Sequence, residues 1–165
     1  MKNQTGLFRR YALDSSFFID LFTREGSHTR DRYIGLWEHF EGQVERGEVI
    51  APIEVREELT NNVDPELDRW LVKHRGIFIE ISRPQLAILQ AIVRRYPSFT
   101  KGKENMADPA VVALAAAEGL TVLTSERRQQ HPSPRLPKIP NLCDEHTIPC
   151  LGINDYLRAE AVVLR

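Results

Sequence analysis

This sequence of 165 residues is marked first by what it lacks: cysteine, long apolar runs and net charge are all scarce. Its two cysteines, Cys143 and Cys150, have neither CxxC nor metal-ligand spacing, which points to a reduced, intracellular pair. A net charge of −1 sets the chain apart from non-specific polyanion binders, which carry a strong basic excess. Any contact with nucleic acid then requires a local basic patch, or a metal that reverses local charge. No apolar run approaches membrane-spanning length, and "MKNQTGLFRRYALD" has no signal-peptide core. A soluble, cytoplasmic protein without membrane contact is expected. No GxSxG surrounds Ser15, Ser16 or Ser125, and the five histidines have no triad spacing, which argues against a serine nucleophile. Asp14 as a phosphoacceptor lacks the second acid two residues on, where Ser16 stands. Repeats, low-complexity tracts and interdomain linkers are also missing, so residues 1–165 read as one domain.

What is present is an alternation of short strands and helices. Residues 11–14 read as a buried strand, residues 16–24 as a helix capped by Ser15 or Ser16, and residues 30–46 as a helix ended by Gly47. "EVIAP" reads as a strand or extended turn and "IEVREELTNN" as a helix. "DPELDRWLVKHRG" has Asp64 as cap, Pro65 at the first helical position and Gly76 at the end. "IFIEIS" has the alternation of an edge strand, "RPQLAILQAIVRRY" is an amphipathic helix, and "SFTKGKENMA" is a polar loop. The small apolar residues of "DPAVVALAAAEG" suit a helix packed closely on a sheet. "LTVLT" is a buried strand, residues 125–141 are loop-like, "TIPCLGI" is the last strand and Asn154 starts a terminal helix. Such alternation predicts a mostly parallel sheet covered by helices on both faces. Trp37, Trp70 and the Phe17–Phe18 pair are expected in its core.

In parallel sheets of this kind, sites form beyond the carboxyl ends of the strands. Asp14 follows the first strand, and Glu126 follows "LTVLT" in the same way. In "APIEVREELT", Val55 and Leu59 mark the buried stripe, so Glu58 or Glu54 can face the rim while Glu57 points away. Asp108 lies at the end of the stripe formed by Val111, Val112 and Ala115. Asp108–Pro109 also has the helix-start pattern that Asp64–Pro65 shows without any chemistry, so a cap and a site both remain open for it. Glu126 beside Arg127 leaves a surface ion pair open too. Carboxylates gathered without positive partners repel one another unless a cation fills the space between them. Oxygen ligands suit Mg²⁺ or Mn²⁺, which can activate water and neutralise a phosphodiester. The basic stretches "TKGKEN" and "ERRQQHPSPRLPK" lie beside two of these acids and can meet a nucleic-acid backbone.

The ordered set "YALDSSFFIDL", "VIAPIEVREEL", "MADPAVVALAAAEG" and "LTVLTSER" resembles the PIN-domain family of metal-dependent nucleases, especially small bacterial PIN proteins of the VapC-like toxin type. The resemblance runs from Tyr11 to the final helix. It implies a three-layer α/β/α sandwich with a central, mostly parallel sheet. It places the family's acids on Asp14, Glu58, Asp108 and Glu126, and its hydroxyl neighbour on Ser15 or Ser16. The fourth acid is usually an aspartate, so Glu126 is a departure. The implied activity is hydrolysis of RNA phosphodiester bonds with Mg²⁺ or Mn²⁺. Asp14, Glu58 and Asp108 would bind metal, and Glu126 a second metal or an ordered water. Ser16, Lys101, Arg127 and Arg128 are expected at the substrate. The resemblance also implies an inhibitory antitoxin partner and a homodimer. A catalytically inactive PIN-like module that binds RNA or protein is the alternative, and a nuclease of DNA ends or flaps ranks below it.

Overall fold

A computed structural model of the chain describes residues 9–22, 28–62, 64–102 and 106–163. The first strand, β1 (Tyr11–Leu13), is buried on both faces, which is why its residues are apolar without alternation. Tyr11 and Leu13 enter one half of the core and Ala12 enters the other. The remaining strands are β2 (Val49–Pro52), β3 (Phe78–Ile79), β4 (Thr121–Leu123) and β5 (Cys150–Leu151). They form one sheet in the order β3-β2-β1-β4-β5, and every pairing is parallel. The chain therefore starts at the centre of the sheet, builds outward to β3, then returns to the other side of β1.

Helices cover both faces. One layer holds α1 (Ser15–Phe22), α2 (Ile34–Glu45), α3 (Ile53–Leu59), α4 (Pro65–Lys73) and α8 (Ile153–Ala159). The other holds α5 (Arg83–Arg95), α6 (Ala107–Glu118) and α7 (Ile139–Glu145). This is the three-layer α/β/α sandwich. Phe17, Phe18, Trp37 and Trp70 are all core residues, with Phe18 edge-on to Trp70 at 5.5 Å. Each such ring contributes about 2–3 kcal/mol on burial. Among the described residues, no helix is long and apolar enough to cross a membrane.

Local chemistry explains the element ends. Gly47 and Gly119 close α2 and α6 with φ of 72° and 68°, backbone that glycine adopts without the Cβ penalty. Asp64 caps α4 by accepting from the Glu66 and Leu67 amides, as its sequence position predicts. Ser82 and Gln85 cap α5 reciprocally. Several expected boundaries move. Residues 30–32 form a turn and Tyr33 is the N-cap of α2, so the helix starts later than expected, and α4 ends at Lys73, before a 3₁₀ turn (Arg75–Ile77) that contains Gly76. The tract expected as a polar loop contains a 3₁₀ turn, Pro97–Lys101, that buries Phe99. Most of residues 125–141 is irregular, but α7 begins inside that tract. Ser15 is the first residue of α1, not its cap. The expected end of α1 at residues 23–24 lies outside the described residues, as do residues 103–105 of the basic loop.

Candidate active site at the strand ends

The returning chain makes β1 and β4 neighbours, so the carboxyl ends of these two strands define the reversal point of the sheet. The Asp14 amide donates to the Leu123 carbonyl at 3.0 Å, and its side chain is only 2 % exposed. A buried carboxylate needs partners, and hydroxyls provide them. Thr124 Oγ1 donates to Asp14 Oδ2 at 2.8 Å, and Ser16 Oγ donates to the same oxygen. Ser16 also accepts from the Ser125 amide at 3.0 Å, which ties α1 to the segment after β4. Ser15 Oγ donates to Glu58 Oε2 at 2.9 Å, linking α1 to α3. Glu58 is the glutamate of that helix at the rim, and Glu57 is exposed as expected.

Asp108 lies in the first turn of α6, whose N-cap is Met106, so it does not serve as the cap that its Asp-Pro pattern left open. Burial raises its carboxyl, and the charges of Asp14, Glu126 and Glu58 raise it further, to about 8. Only Lys138 is prominent in opposing that rise. Asp14 is also raised, first by burial and further by Glu126, although the Ser16 and Thr124 hydroxyls offset part of this. Four acids from four segments therefore share one electrostatic neighbourhood.

Glu126 is held differently. Its Oε1 accepts from Lys138 Nζ at 3.2 Å, and its Oε2 accepts from the Ile139 amide at 2.9 Å, at the start of α7. Arg127 is exposed and lines an open cleft of about 610 Å³ with Ser16, Asp20, His28, Ser125 and Glu126. Arg128 is bound to Asp144 by two hydrogen bonds, of 2.6 and 2.8 Å, which leaves it less available to a phosphate. Lys101 stands exposed at the end of its 3₁₀ turn, with no ion pair to the acids among the described residues. Thr124 and Lys138 are the site residues that sequence reasoning passed over. A hydroxyl closing the "LTVLT" strand was a usable signal for the first, but Lys138 had no motif to mark it.

The donor set fits a hard divalent cation in kind: its ligand atoms are oxygens and its negative charge is poorly balanced. As the side chains stand, no three His, Cys, Asp or Glu residues among those described are gathered tightly enough to hold an ion.

The fold has solved counterparts. A crystal structure of FitAcB from Neisseria gonorrhoeae is similar with a TM-score of 0.51, at 14 % identity, over 86 % of this chain and 96 % of that one. A crystal structure of PAE2754 from Pyrobaculum aerophilum gives a TM-score of 0.48, at 15 % identity, over 93 % of this chain and 97 % of that one. The first likeness supports the layered fold, consistent with the PIN-like architecture that the sequence resemblance implies. No curated protein matches the sequence. Residues 11–164 match the family described as "Domain of unknown function (DUF4411)", and the chain belongs to that family.

Proposed function

We propose that this protein is a divalent-metal-dependent endoribonuclease acting as the toxin of a toxin–antitoxin pair. The observation that carries the proposal is the convergence of Asp14, Glu58, Asp108 and Glu126 near one reversal point, with Asp108 feeling the other three. Asp14, Glu58 and Asp108 would hold Mg²⁺ or Mn²⁺. Such an ion supplies an activated water and neutralises charge on the phosphodiester. Ser15, Ser16 and Thr124 orient the carboxylates, because each donates to one of them. Arg127 and Ser16 line the adjoining cleft and meet the RNA backbone there, and Lys101 adds an exposed cation. An antitoxin and a homodimer belong to the same reading, supported by the resemblance of the ordered acid set to small bacterial PIN proteins.

A second reading, a PIN-like module that binds RNA or protein without cutting, is favoured by one observation: both carboxylate oxygens of Glu126 already have internal partners. Cleavage of a mixed single-stranded and hairpin RNA pool with Mn²⁺ separates the two. Wild type and Asp14→Asn are purified in parallel to control for contaminating ribonucleases. The nuclease reading expects cleavage by wild type that both EDTA and the substitution remove. Equal cleavage by both proteins sinks it, and RNA binding without metal dependence or cleavage favours the module.

A further inference from the structure

The fourth acid is engaged by an internal cation, and this bears on how many metal ions the site takes. Glu126 is 17 % exposed at its side chain, with one oxygen on the Lys138 ammonium and the other on the Ile139 amide. Its own amide donates to Thr124 Oγ1 at 3.1 Å, and that hydroxyl in turn donates to Asp14. Glu126 is thus fixed from both ends. The Lys138 charge also reaches Asp108, where it opposes the push of the three acids. Of the neighbouring arginines, Arg128 is bound to Asp144, and Arg127 lines the cleft with His28.

In two-ion nucleases the second cation lies only about 4 Å from the first. An ammonium is a compact point charge that repels a divalent ion brought close to it. We propose that Lys138 takes the place of a second ion, so that this site binds one divalent cation per chain and Glu126 serves as the seat of Lys138. The proposal rests on the nuclease reading above and narrows it to a one-metal site with a covalently tethered second positive charge. The competing account is a half-exposed ion pair of little consequence, since such pairs contribute only about 0–1 kcal/mol.

Titration calorimetry of the full chain with MnCl₂ decides between them without any assay of cleavage. Wild type is expected to bind one ion per chain. Lys138→Met frees an oxygen of Glu126 and is expected to bind a second ion, at least about tenfold more weakly than the first. Lys138→Arg retains the charge and stays at one, as does Glu126→Gln. The Lys138 side chain makes no capping bond to α7, so removing its charge leaves the helix start in place. Lys138→Gln repeats the test with a polar chain, should the methionine variant fold poorly by circular dichroism. Two ions on wild type, or one on both charge-removing variants, overturns the proposal while leaving the metal reading intact. No ion on any protein overturns both.

Discussion

The two ends of the sheet use the same residue types to opposite effect. At the amino-terminal end, Glu160 accepts from Tyr11, from Arg10 at 2.6 Å and from His39 at 3.1 Å, with its side chain 7 % exposed. Burial alone would raise its carboxyl, but these three donors outweigh burial and hold it low. Glu48 is held low by Arg46, and the Tyr11 hydroxyl is pushed up to about 12 by burial beside Glu160. At the carboxyl-terminal end, Asp14 and Asp108 are both raised, first by burial and then by neighbouring acids, and the hydroxyls on Asp14 offset only part of its rise. Burial is common to the two ends, so the partners make the difference. The first end is a closed lock that fastens the last helix to β1. The second gathers acids whose charge is poorly balanced, so that a bound proton or an added cation relieves it, the pattern expected of a functional site.

Substitutions sharpen this contrast. The largest effect is expected at Asp108: Asp108→Asn should lower Mn²⁺-dependent RNA cleavage at least ~100-fold, the scale of a lost metal contact. The same change should raise the urea midpoint of the chelator-treated protein, since it removes a carboxyl that folding buries among like charges. Glu160→Ala should act the other way, costing about 2 kcal/mol in urea unfolding by orphaning three donors, with the acids at the other end untouched. A stabilising Asp108→Asn and a destabilising Glu160→Ala together would uphold the comparison, and the reverse pair would break it.

The pH dependence follows from the same carboxyl. Asp108 moves from an ordinary value of 3.8 to about 8 on folding. Between those values the folded chain keeps a proton that the unfolded chain has lost, so this contribution is fully present below about pH 4 and is lost as pH rises through about 8. In EDTA, melting temperatures should therefore fall between pH 5 and pH 8, and Asp108→Asn should flatten that part of the slope. The smallest effect is expected at the exposed pair of Arg9 and Glu118, 2.8 Å apart: Glu118→Gln should shift stability by about 0.5 kcal/mol or less.

The sequence carried most of the architecture because strand burial and helix periodicity are local signals. "YAL" and "LTVLT" read as buried strands, and the small residues of α6 announced close packing. The acids after those strands were legible for the same reason, since a carboxylate at the end of an apolar run stands out. α7 was not legible. It is one of the shorter helices, Pro132, Pro134 and Pro137 make the tract before it read as loop, and Pro140 lies in its own first turn. Without α7, nothing in the sequence brings Lys138 back to Glu126. The lock around Glu160 was equally hidden, because it joins Arg10 and Tyr11 to a residue near the far end of the chain. Contacts that long are set by topology, not by pattern.

The position of β1 also imposes an order in time. Its partner β4 and the hydroxyl of Thr124 arrive 110 residues after Asp14 in the chain. Pairings so distant in sequence are the slow part of folding, and no shorter fragment can supply them. Residue 126 must leave the ribosome before the four acids can meet. Until then Asp14 lacks both the Thr124 hydroxyl that holds it and the Glu126 charge that raises it.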